Sequence, residues 1–199
     1  MAGTFPISNS QFQTLGIRSI QKTLLSKSAS GKRFARQIDG QRFAFTANII
    51  TAKRNDVYGE LMAFIMKQRS SKETFTIIPP EISNARGTAS GTPNGTASAG
   101  ATSITLGGTG TGTLKAGDYI KFANHDKVYM VVEDQSDIST GTLTIEPPLR
   151  EAVSSSDISY DNVPFTVYLV NEMQEFGAIG SDKDGNVLYK FELDVEEAL

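Results

Sequence analysis

The sequence predicts a mainly β fold: an antiparallel β-sandwich or barrel carrying one packed α-helix. Three observations lead there. Short apolar runs recur along the chain, and most alternate between two faces. Pro, Gly and Asp-Gly end those runs. Only one window, near residue 60, takes a helical period.

The elements follow in order. "IRSIQKTLLSKS" at 17–28 and "KRFARQID" at 32–39 read as strands. Asp39-Gly40 is a hairpin-type turn signal. In "QRFAFTANII", Phe43, Phe45, Ala47 and Ile49 fall on one face, and Arg42, Thr46 and Asn48 on the other. In "NDVYGELMAFIMKQR", Val57, Leu61, Phe64 and Ile65 sit at i, i+4, i+7 and i+8. That spacing predicts an amphipathic helix over 55–69, with Asn55 as N-cap. Asp56 and Glu60 suit its positive end, and Lys67 and Arg69 its negative end. "ETFTIIPP" at 73–80 is a short strand ended by Pro79 and Pro80.

Composition then changes. Gly87 to Gly112 holds eight Gly and seven Thr in 26 positions. Its first half has too little apolar surface to offset ordering, which predicts a flexible linker over 87–100. Strand patterns resume in "GDYIKFANHDKVYMVVED", a hairpin with Asn124, His125 and Asp126 near its tip. "GTLTIEPPL" at 141–149 and "PFTVYLVN" at 164–171 follow, the latter with Phe165, Val167 and Leu169 inward. "EFGAIGSDKDGNVLYKFELDV" reads as two strands joined by residues 182–186. The total is nine or ten strands.

The chemistry of many enzymes is missing from these residues. There is no Cys, which removes disulfides, thiolate metal sites and Cys nucleophiles. A single His, His125, must serve any Ser-His-Asp scheme, and it reads as an exposed turn residue. Gly31-Lys32 has neither the spacing nor the context of a phosphate-binding loop. Gly108, Gly110 and Gly112 are spaced two apart and lead into a strand, unlike a dinucleotide fingerprint. Asp182, Asp184 and Asn186 imitate the start of a Ca²⁺ loop, but Val187 and Leu193 stand where Gly and Glu are needed. A polar hairpin turn is the reading there, with a weak surface Ca²⁺ site as its alternative. Glycosidase-type acid pairs stay open, although the lack of Trp counts against a sugar-cleaving site. No catalytic, cofactor-binding or metal-binding residue is assigned, and no cofactor is expected.

No apolar run reaches the roughly 20 residues that span a bilayer, so no membrane partner is expected. "MAGTFPISNSQF" has neither the basic start nor the apolar core of a signal peptide. The net charge of −3 conceals a split. Residues 1–72 carry twelve Lys/Arg and three Asp/Glu, and residues 73–199 carry seven and nineteen. One reading is a soluble surface unevenly charged along the chain, and the sharper one is a subunit whose basic face meets an acidic face on a neighbour. A nucleic-acid site is the third, against which the basic residues are scattered with few aromatic stacking partners.

Three segments together resemble a known group: "GQRFAFTANI…MAFIMKQRSSKETFTI" at 40–78, "LKAGDYIKFANHDKVYMVVED" at 114–134, and "TIEPPLR" at 144–150. They are similar to structural proteins of tailed-bacteriophage tails and baseplates, above all the distal-tail-like proteins that join tail tube to baseplate. Related sequences tend to have Trp at the position of Phe43, Pro-Pro at Ile50-Thr51, and Gly at Ser70. The resemblance implies a tube-like β-sandwich domain from 1–86 and 161–199 that includes the helix 55–69. A β-barrel-like module, 97–160, would be inserted into it through the linker 87–100. It implies a non-enzymatic virion protein, assembled in the host bacterial cytoplasm. Its partners would be copies of itself in a ring, with six favoured over three, and the adjacent tube, baseplate or hub proteins. DNA would be passing cargo only. The alternative is a β-sandwich carbohydrate- or receptor-binding module of the adsorption apparatus.

Overall fold

The computed structural model describes residues 3–37 and 40–199. It is mainly β, with one α-helix among the described residues. The first strands are β1 (Phe12–Ile20), β2 (Thr23–Lys27), β3 (Arg33–Gln37) and β4 (Arg42–Lys53). A single π-turn, Arg54–Tyr58, leads into α1 (Gly59–Lys67), and β5 (Phe75–Ile77) follows. Six strands come next: β6 (Pro93–Ala97), β7 (Ser103–Gly108), β8 (Tyr119–Phe122), β9 (Val128–Val131), β10 (Thr142–Glu146) and β11 (Val153–Ser159). The chain ends in β12 (Phe165–Leu169), β13 (Phe176–Ser181) and β14 (Val187–Glu197).

These strands form three units. One is an antiparallel sheet in the order β1-β4-β14-β12-β5, with β13 paired to the early part of β14. The second is a closed barrel in the order β10-β7-β6-β11-β8-β9. The third is the free-standing hairpin β2–β3. The sheet is therefore built from both ends of the chain, and the barrel from its middle.

Alternation decides which face of the sheet is buried. Phe43, Phe45, Ala47 and Ile49 of β4 lie inward, as their spacing predicts. Phe191, Leu193 and Val195 of β14 and Phe165, Val167 and Leu169 of β12 join them. Helix α1 covers this face with Leu61 and Ile65, and Val57 of the preceding turn is buried with them. Phe64 is half-buried, edge-on to Phe75 with ring centres 5.3 Å apart. Phe5 and, from the barrel, Tyr119 and Val128 join the same buried core. The helix begins differently from expectation. Its first turn starts at Arg54, preceded by Lys53 with no side-chain cap, so Asn55 is not the N-cap. The Gly59 N–H reaches back to the Arg54 carbonyl, and a Cβ on Gly59 would lie 2.9 Å from that oxygen.

Two further readings change. The single strand expected over 17–28 is two strands, broken at Gln21-Lys22. The Asp39-Gly40 turn lies partly outside the described residues.

The Gly/Thr stretch is not a linker. Residues 93–97 are strand β6, in the wall of the barrel between β7 and β11. Its glycines allow close approach. A Cβ on Gly95 would stand 2.7 Å from Ile104 Cγ2 and 2.9 Å from Phe122 Cε1. One on Gly87 would collide with the Thr113 carbonyl, and one on Gly112 with that of Thr88. Gly91, Gly108 and Gly112 also hold positive φ of 80°, 90° and 88°. The "SSSDISYDN" stretch likewise contains most of β11, where only Val153 and Ile158 face inward. The barrel has its own core, including Ile104, Phe122, Tyr129, Leu143 and Ile145.

Candidate interface surfaces

The chain enters and leaves the barrel side by side. The Ala85 N–H donates to the Tyr160 carbonyl at 2.9 Å, and the Val163 N–H to the Ser83 carbonyl at 2.9 Å. The Asn162 N–H donates to Asn84 Oδ1 at 2.9 Å. Arg86 fastens this stem to the barrel through Asp118, 3.2 Å from Nε to Oδ1, and through the Ala116 carbonyl.

A second contact closes the seam between barrel and sheet. Glu197, the last residue of β14, points inward and is fully buried. Its Oε2 accepts from Lys127 Nζ at 2.6 Å and from the Phe43 N–H at 3.0 Å. Its Oε1 accepts from the Val128 N–H at 2.9 Å. Lys127 Nζ also donates to Gln41 Oε1 at 2.9 Å and lies 4.6 Å from the centre of the Phe43 ring. Burial draws the Lys127 ammonium below its ordinary pKa, and the Glu197 carboxylate opposes that shift. A buried pair with this many hydrogen bonds fixes geometry more than it adds stability. Sequence reasoning did not find it, since a strand-end Glu and a hairpin Lys lie 70 positions apart.

His125 is half-buried rather than exposed. Its Nδ1 lies 2.9 Å from Asn124 Oδ1, which can only accept, so Nδ1 carries the proton. Tyr129 Oη, which accepts from the Arg150 N–H at 3.0 Å, then donates to His125 Nε2 at 2.8 Å. Burial lowers the His125 pKa, in keeping with a neutral ring, and burial pushes Tyr129 up to about 12. No acid stands behind the imidazole as a triad would need. The Asp182 turn is also self-contained. Asp182 Oδ1 accepts the N–H groups of Asp184 and Asn186, both at 2.9 Å, and Oδ2 pairs with Lys53 Nζ at 2.6 Å. These partners hold its carboxyl well below the usual range, Lys53 first. Among the described residues, no group of three or more acids or His could hold a metal ion. No helix among them is long and apolar enough to cross a membrane.

The charge split is partly cancelled by folding. Arg18 pairs with Asp194 at 2.7 Å, Arg42 with Glu196 at 2.9 Å, and Lys53 with Asp182 across the sheet. What stays basic is the β2–β3 hairpin. All ten of its strand residues are exposed, Arg33 and Arg36 among them. What stays acidic includes a cleft of about 380 Å³ beside β13, lined in part by Glu175 and Glu192. The sheet also keeps open edges. Among the described residues, β1 pairs only with β4, and β13 only with β14. The far edge of β5 is instead covered by residues 3–5, with the Phe5 N–H donating to the Thr76 carbonyl at 2.8 Å.

A comparison with curated proteins gives no match. A family model does match, over residues 81–162, and its description is distal tail protein pb9, B domain. Those bounds fall at the stem where the chain enters and leaves the barrel. Over its barrel, residues 81–162, the chain is similar to the B domain of a phage distal tail protein.

Proposed function

We propose that the chain is a non-enzymatic structural subunit of the phage tail that closes into a ring and joins tail tube to baseplate. The observation that carries this reading is the match of the barrel, 81–162, to a distal-tail domain. The open edges of β1 and β13 support ring closure. They lie on opposite sides of the β4–β14 pair, so one copy presents different edges to its two neighbours. A heterologous contact of that kind closes into a ring when its rotation allows. Unpaired backbone donors and acceptors on those edges offer the hydrogen bonds.

In this reading the sheet forms the ring wall and the barrel is a module held at a fixed angle by the stem and by Lys127–Glu197. Six copies are favoured over three. The protein resides in the virion after assembly in the host cytoplasm, contacts tube and baseplate proteins, and passes DNA without reading it. Electron microscopy of the intact particle tests this. A ring of this chain at the distal end of the tail tube is the expected result. Isolated copies on the virion surface, with glycan binding by the purified chain, would favour an adsorption module instead.

A further inference from the structure

We infer that the β2–β3 hairpin is an arm that docks into the cleft beside β13 on a second copy of this chain. The inference rests on the ring reading and names its contact surface.

The first ground is stability. A lone two-stranded ribbon is marginal in water. This one buries none of its strand residues, yet it presents Leu24, Leu25 and Phe34 to solvent, the last two 61% and 52% exposed. Register sets Leu24, Ser26, Phe34 and Arg36 on one face, and Leu25, Lys27, Arg33 and Ala35 on the other. Each face therefore joins apolar area to cations. Apolar area on a protruding ribbon, rimmed by charge, marks a surface that another molecule covers.

The second ground is charge. Gln21 to Gln37 holds four Lys/Arg besides Lys22 and no Asp/Glu. The cleft has the opposite character. Glu175 and Glu192 line it with no ion pair among the described residues, and Met173 and Ile179 supply apolar area at 79% and 55% exposure. Lys190 also lines it, and Asp194 is already held by Arg18, so the free acids are Glu175 and Glu192. Apolar area and complementary charge on both surfaces fit a specific contact.

The third ground is placement. The arm leaves the Ile20/Arg42 end of the β1–β4 pair, while β13 pairs with residues 187–191 of β14, across β14 from β4 and at the opposite strand end. An arm on one side and its cleft on the other propagate from copy to copy in one direction, which is the arrangement a ring requires.

The chain has no Cys, so new thiols report position cleanly. The full-length variants Leu25→Cys and Ile179→Cys, mixed at high concentration and treated with a short bismaleimide, should give a cross-linked pair containing one of each. Met66→Cys in place of Ile179→Cys should give none. In parallel, Arg33→Glu/Arg36→Glu should weaken self-association by at least about tenfold in sedimentation. Mixing it with Glu175→Arg/Glu192→Arg should restore association. If copies associate but neither the cross-link nor the charge effect appears, the arm is wrong and the ring stands. If the unaltered chain shows no self-association at any attainable concentration and no ring in the particle, both readings fall.

Discussion

The Gly/Thr-rich start of the barrel and the β2–β3 hairpin reverse what their compositions suggest. The first has almost no large side chains before Ile104, yet it forms part of a closed barrel. The second has alternating Leu and Phe, yet every one of its strand residues is exposed. The difference lies in neighbours. Strand β6 is ordered because β7 and β11 bond to both its edges and supply Ile104 and Ile158, which with Phe122 surround Gly95. The hairpin has its apolar residues but no wall of its own chain to press them against. Burial, not composition, separates an ordered glycine strand from a linker.

The strongest way to test that contrast is to open the enclosed side. Lys127→Ala should cost about 3–5 kcal/mol, because it leaves the Glu197 carboxylate buried without its cation. Chemical denaturation at neutral pH measures this. The variant Lys127→Met/Glu197→Gln should recover part of the loss, since it removes both charges and keeps an acceptor for one of the two backbone N–H groups. A loss below about 1 kcal/mol for Lys127→Ala would mean that the seam is open to water.

Next is the glycine strand itself. Gly95→Ala should cost about 1–3 kcal/mol, as overpacking does where neighbours cannot retreat. Its Cβ would press on Ile104 and Phe122, both fully buried. Ala at Gly100, where nothing lies within 4 Å, meets no such wall, although its φ of 82° carries backbone strain. Comparing the two separates packing from conformation. Equal losses would place the effect in the backbone.

These residues show what was legible in the sequence. The sheet core was readable because large apolar residues alternate along β4 and β12, although Ala44 and Thr166 on their other faces are buried as well. The helix was readable from Val57, Leu61, Phe64 and Ile65, although its first turn was not, since Gly59 permits a wider turn there than spacing alone suggests. Strands β6 and β11 were hidden because small and polar residues fill them, and their order comes from long-range pairing. The seam was hidden for the same reason. The distal-tail likeness was visible in the KAGD-containing strand segment and in "TIEPPLR", both inside the matched span. The interfaces were visible only as a charge split, and folding cancels part of that through Arg18, Arg42 and Lys53.

Alkaline pH gives a smaller, graded effect on the enclosed side. Tyr129 is pushed up from its ordinary 10.0 to about 12 by burial. Below pH of about 10 both states hold the proton, and the stabilisation is complete. Between about 10 and 12 the unfolded chain ionises while folded Tyr129 stays neutral, so stability falls as pH rises, by roughly 1–2 kcal/mol. Other buried tyrosines add to the total fall. Tyr129→Phe should therefore show a shallower decline in thermal melts as pH rises from about 9 to about 11. An unchanged slope would mean that the ring's hydroxyl reaches solvent and that this end of the barrel is not closed.

The smallest effect is expected on the hairpin, and its smallness is the point. Leu24→Ser removes an exposed side chain from a ribbon whose strands bury nothing in their own chain. Surface changes of this kind usually stay within about 0.5 kcal/mol. The cost in dilute solution should fall inside that range, far below that of Lys127→Ala. If the arm docks in the cleft of a second copy, the same variant should lower self-association at high concentration, where Leu24 becomes buried. Denaturation of the dilute chain and sedimentation of the concentrated chain would then respond differently to the same substitution. A large loss in the dilute monomer would show that the hairpin folds back on its own sheet, and the contrast with the barrel would disappear. A neutral result in both would leave Leu24 outside the contact and confine the arm's work to Leu25 and Phe34.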